Sequence, residues 1–107
     1  MTNNITLDRA IYRLCHNDGT LTELTLCGLR LNAADGTLLA RALATNSTLT
    51  TLSLWNNKVR AEGAAQMAEA LATNSTLSFL DLRDNNVKDE GAAWLAAALA
   101  INSVPWL

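Results

Sequence analysis

LTTLSLWNNKVRAEGAAQMAEALATNST occupies residues 49–76, and its two halves follow different periods. The first six residues carry leucine at positions one, four and six, Leu49, Leu52 and Leu54, and the alternation of the last two around Ser53 is that of a short strand with one buried face. In the second half Met67, Ala68 and Leu71 keep the three-and-four spacing of one apolar helical stripe, with small alanines that allow close packing. One strand followed by one helix is the reading of this stretch.

The same unit stands on both sides of it. LTELTLCGLRLNAADGTLLARALATNST at 21–48 and LSFLDLRDNNVKDEGAAWLAAALAINSV at 77–104 repeat the strand leucines as Leu21, Leu24, Leu26 and Leu77, Leu80, Leu82. They repeat the helical stripe as Leu39, Ala40, Leu43 and Leu95, Ala96, Leu99. A right-handed crossover returns each strand parallel to the last, and no unit buries both faces alone, so neighbours must stack. The expected architecture is a single α/β domain over 1–107, a short right-handed curved solenoid with parallel strands on the concave side and helices on the convex side. Residues 1–20 are expected to form an N-terminal helical cap, with Leu7, Ile11, Leu14 and Cys15 on its inner face and Thr6 or Asp8 as N-cap. Residues 105–107 read as a truncated strand, with Pro105 in the place of the expected leucine.

The pattern LxxLxLxxNxV, followed by a glycine and an alanine-rich helix at a 28-residue period, resembles leucine-rich repeats of the ribonuclease-inhibitor-like class over residues 21–104. The resemblance implies that Asn57 and Asn85 bond backbone groups in the turn that leaves each strand. A buried irregular turn leaves peptide groups that need such partners. The first unit departs from the pattern: Leu29 holds the asparagine's place, Asp35 that of Gly63 and Gly91, and Gly36 comes one residue late. An irregular first turn is therefore expected. The resemblance also implies that the concave face binds protein.

Charge and composition narrow the function classes. The net charge is −2 with no block of like charge, so the footprint of a nucleic-acid binder is missing. No apolar run reaches the roughly 18 residues of a membrane span, and MTNNITLDR has no signal-peptide features. A cytoplasmic location without membrane contact is expected, with Cys15 and Cys27 reduced. His16 is the only histidine, no glycine-rich phosphate loop appears, and the acidic residues are scattered. No catalytic, metal or cofactor site is expected. Cys27 falls at an outward strand position, yet the sequence shows no basic neighbour to activate it as a nucleophile. Asn4, Asn46 and Asn74 each satisfy the N-x-[ST] glycosylation rule, but Asn46 and Asn74 end helical stripes and read as left-handed helix caps.

Alternation identifies the outward strand side chains, and stacking aligns them in the rows Glu23, Thr51, Phe79; Thr25, Ser53, Asp81; and Cys27, Trp55, Arg83. The expected partner-binding residues are Trp55, Phe79, Asp81, Arg83, Glu23, Asn56 and Asp84, because tryptophan and arginine are enriched among interface hot spots. The competing reading has Arg83 stack on the Trp55 ring. At the C-terminal end, polar residues give way to apolar ones: Trp94 stands where Gln66 does, Ala97 for Glu69, Ile101 for Thr73 and Val104 for Thr76. Trp94, Ile101, Val104, Trp106 and Leu107 therefore form a candidate self-association surface for a homodimer. A hydrophobic self-cap and a fragment of a longer array are the alternatives. Two functions follow: a non-catalytic protein-binding module using the concave face, or an assembly element that dimerises through its C-terminal end.

Overall fold

The computed structural model describes residues 5–101, and the side chains of 6–97. The elements run α1 (Ile5–Cys15), β1 (Glu23–Thr25), α2 (Ala33–Thr45), β2 (Thr51–Ser53), α3 (Arg60–Thr73), β3 (Phe79–Asp81) and α4 (Lys88–Ile101). The strands form one parallel sheet in the order β1-β2-β3. Glu23 pairs with Thr51 and Thr51 with Phe79, so the register steps by one repeat from strand to strand. Four helices and three parallel strands in an open sheet make an α/β repeat fold.

The core lies between sheet and helices. Leu26, Leu52, Leu54 and Leu80 enter from the strand side, and Leu39, Leu43, Met67, Leu71 and Leu95 from the helices. Ala96 is exposed although its counterparts Ala40 and Ala68 are buried, since no further helix follows α4 among the described residues. Leu99 lies outside the described side chains. In α1 the inner stripe is Leu7, Ala10 and Leu14, with Ile11 half-buried and Cys15 exposed. The expected stripe was thus off at one end, because Leu14 rather than Cys15 takes the last inward position. Thr6 and Asp8 lie within the first turn of α1, which already includes Ile5, so neither caps it.

Strands of three residues carry few ladder bonds, and two sets of buried asparagines make up the connection between units. Asn57 Nδ2 donates to the carbonyls of Leu26 and Leu54, 2.8 Å each, while its Oδ1 accepts from the N–H groups of Leu29 and Leu31, 3.0 Å each. One side chain thereby closes its own turn and the turn of the unit before it. Asn85 repeats the arrangement, donating to Leu54 O at 2.7 Å and Leu82 O at 3.2 Å and accepting from Val59 N–H at 3.2 Å.

The second set sits at the helix ends, where the last carbonyls lack intrahelical partners. Asn46 and Asn74 are extended, with φ of −78° and −85°, and not the left-handed caps the sequence suggested. Asn46 Oδ1 accepts from Thr48 and Leu49 N–H, and Asn74 Oδ1 from Thr76 and Leu77 N–H. Their amides reach back one unit, to Leu14 O at 3.1 Å and Leu43 O at 2.8 Å. The octapeptide ALATNSTL occurs at 42–49 and 70–77 because the same helix-to-strand turn is built at both places.

Close helix packing accounts for the glycines. A Cβ on Gly91 would stand 2.9 Å from Val87 Cβ and 3.1 Å from Ala64 Cβ, so α4 approaches α3 with no room for a methyl group. Gly91→Ala gains helix propensity but forces the helices apart, for a net loss of about 1–2 kcal/mol, measurable as a lower urea midpoint. In the first unit Gly36 takes this place against the next unit, with its Cβ direction 3.2 Å from Val59 Cγ1. That unit also starts its helix differently. Asn32 and Asp35 form a capping box, at 2.9 and 3.0 Å, where Arg60 and Lys88 adopt positive φ in the later units.

Candidate protein-interaction surface

The asparagine-closed turns fix the residues that immediately follow β2 and β3. Trp55 follows β2 and is 44% exposed, and its indole N–H donates to Asp84 Oδ2 at 3.0 Å. The tryptophan is therefore both accessible and held. Arg83 stands in the equivalent place after β3 and forks onto Asp81, Nε to Oδ1 at 3.0 Å and Nη2 to Oδ2 at 2.8 Å. Its Nε and Nη2 are engaged by that carboxylate, and the Trp55 indole N–H by Asp84.

Asp81 belongs to the outward row by alternation, yet it is buried, because Arg83 lies over it. Its carboxyl is held below the ordinary carboxylate range by the hydrogen bonds from the Arg83 side chain, which outweigh the opposing effect of burial. The same bonds raise Arg83. Asp81 thus serves to aim Arg83 and has no free face for a partner's atoms. Phe79 is 37% exposed beside Thr51, and Glu23 is exposed at the other end of that row. Cys27 is half-buried with its Sγ 3.2 Å from Ser53 Oγ. Asn56 and Asp84 are exposed and occupy left-handed turn positions, with φ of 60° and 58°, as does Gly28 at 68°. Their residue types answer first to the backbone, since asparagine, aspartate and glycine tolerate that region best.

Trp94 is 45% exposed and lies elsewhere. With Ala97 it lines an apolar groove of about 410 Å³ against Ala65, Ala68 and Ala72 of α3. It therefore turns back toward the second unit. The face of α4 that would meet a following helix carries Asp89 and Ala92, the counterparts of Ala61 and Ala64, which Gly91 approaches. Val104, Trp106 and Leu107 lie outside the described residues, as does the side chain of Ile101.

Among the described residues no three His, Cys, Asp or Glu side chains come together as a metal site. No described helix is long and apolar enough to cross a membrane.

The fold and this surface define a stacked strand–helix repeat protein with one open sheet face. A family model described as Leucine Rich repeat matches residues 45–68 and 73–96, each match running from a helix-ending turn through a strand into the next helix. These matches support a leucine-rich repeat protein, a kind that generally mediates protein–protein interaction and is typically non-catalytic. No curated protein matches the chain.

Proposed function

We propose that the chain is a non-catalytic protein-binding module of the ribonuclease-inhibitor-like class, with its contact surface on the concave side of a short curved solenoid. Trp55 carries this reading: a large aromatic ring exposed to solvent yet anchored through its indole N–H to Asp84. A side chain fixed before binding loses little conformational freedom on contact, and tryptophan and arginine dominate interface energetics. Arg83, aimed by Asp81, and Phe79 extend the patch, with Glu23, Asn56 and Asp84 as its polar rim. Asn57 and Asn85 act structurally, by holding the turns that present it. The two free cysteines suit a reducing compartment, and we place the protein in the cytoplasm.

Affinity capture from native lysate tests the proposal. Trp55→Ala is expected to weaken retention of the partner about thirtyfold, the effect of losing a hot spot worth about 2 kcal/mol. Arg83→Ala should weaken it less. Unchanged capture by both variants would contradict the concave site.

The exposure of Trp94 in an apolar groove favours a second reading, self-association through the C-terminal end involving Trp94, Ile101, Val104, Trp106 and Leu107. Light scattering on the wild type and on Trp94→Glu tests it. A wild type that stays monomeric at every micromolar concentration rules it out.

A further inference from the structure

Among the described strands β1 pairs only with β2, and beside its other edge lies a groove. Thr6, Arg9, Ala10 and Arg13 of α1 line one side and Leu21 and Leu24 the other, around about 410 Å³, a volume within the range of ligand clefts. Two cations and no carboxylate stand among these lining residues. Leu24 is half-buried on this edge, whereas Leu80 on the opposite outer strand has no exposed surface, so the apolar floor of the groove lies open. Leu26 and Gly28 donate their N–H groups to the carbonyls of Ser53 and Trp55 in the next unit. Alternation therefore turns the peptide groups of Glu23 and Thr25 the other way, along the open edge. The helix position beside α2 is already held by α1, so the groove has room for an extended segment and not for a further helix.

We propose that this groove binds an extended acidic peptide of another protein, added to β1 as a parallel strand, at a site separate from the concave face. The ladder sets Leu52 beside Leu24 and Thr51 beside Glu23. In the same register the peptide side chains opposite Leu21 and Leu24 enter the groove, and those opposite Thr22, Glu23 and Thr25 stay outside. The position opposite Leu24 takes an apolar side chain, which covers the half-buried leucine and Ala10.

The position opposite Leu21 takes the carboxylate. Thr20 precedes Leu21, and Arg13 donates from Nη2 to Thr20 Oγ1 at 3.0 Å and from Nε to Asp18 Oδ2 at 2.7 Å. These bonds fix the guanidinium at that end of the groove and leave its Nη1 open to a ligand. Asp18 offsets the charge of Arg13, and the remaining attraction comes from Arg9, which is exposed, in no described ion pair and one helical turn away on α1. A carboxylate placed outside, opposite Glu23, would meet a like charge instead. The recognised pattern is thus an acidic residue followed three places later by an apolar one. Main-chain hydrogen bonds to Glu23 and Thr25 give affinity, and the two inward side chains give selectivity.

Panning a phage-displayed library of random peptides on the immobilised full chain tests this, followed by fluorescence anisotropy with a synthetic peptide of the most enriched sequence. Enriched sequences are expected to share the acidic residue and the apolar one three places after it. Arg9→Glu, at an exposed helix position, should weaken the synthetic peptide about fivefold. Amide hydrogen exchange at Glu23 and Thr25 should slow about tenfold as the peptide nears saturation. Enrichment without the acidic residue, or no enrichment, would overturn the proposal, as would binding indifferent to Arg9→Glu. Bound peptide with unslowed exchange at Glu23 and Thr25 would rule out strand addition. Loss of the peptide on Trp55→Ala would place it on the concave face, which overturns the groove site while leaving the proposed function standing.

Discussion

Asn57→Ala is expected to destabilise the fold by about 3–4 kcal/mol. The side chain is 6% exposed and satisfies four backbone groups across two units: the carbonyls of Leu26 and Leu54 and the N–H groups of Leu29 and Leu31. Alanine removes the partner of Leu26 O and of the two N–H groups, while Leu54 O keeps the Asn85 amide at 2.7 Å. Each buried orphan costs about 1–3 kcal/mol, reduced where water reaches the turn, so the sum stays below three full penalties. A loss of this size is a large part of the stability of a small domain, and urea titration followed by circular dichroism would read it. Asn85→Ala should cost less, since Asn85 accepts a single N–H, from Val59 at 3.2 Å. Equal midpoints for Asn57→Ala and the wild type would refute the role assigned to the asparagine.

Leu52→Ala is expected to cost about 3 kcal/mol, within the range measured for leucine truncations in rigid cores. Leu52 has no exposed surface and sits in the middle of the central strand, flanked by Leu24 and Leu80. With strands on both sides the backbone has little freedom to collapse into the cavity, which keeps the penalty from relaxing away. Leu24→Ala supplies the comparison. Leu24 is half-buried at the sheet edge, where less apolar surface is lost, and about 1 kcal/mol is expected. Thermal or urea unfolding of both variants would show whether the core is centred on the middle unit, as the burial pattern requires.

The strand–helix unit was legible because two periodicities coexist in one repeat. The alternation of Leu52 and Leu54 and the stripe of Met67 and Leu71 each point to a single buried face, and all four are buried. What alternation leaves open is what neighbouring side chains do to one another. Asp81 and Arg83 share a face two residues apart, and that i, i+2 spacing was a readable sign of their ion pair. The bond from Trp55 to Asp84 spans 29 residues, one more than the repeat, and became visible only once adjacent turns were set side by side. Sequence could not show that Asn46 and Asn74 stop their helices in extended geometry, since asparagine serves left-handed and extended ends alike. The direction of Trp94 had a precursor in Gln66, its counterpart, which lines the corresponding groove between α2 and α3. Cys15 was misplaced because the buried stripe of α1 runs through Leu7, Ala10 and Leu14, which turns the side of Ile11 and Cys15 outward.

The most direct test of the binding proposal is amide chemical-shift mapping on the isotope-labelled chain as its captured partner is added. Perturbations are expected to concentrate at residues 51–56 and 79–84, around the Trp55–Asp84 and Asp81–Arg83 pairs. Perturbations confined to residues 65–72 and 94–97, along the groove of Trp94, would contradict it.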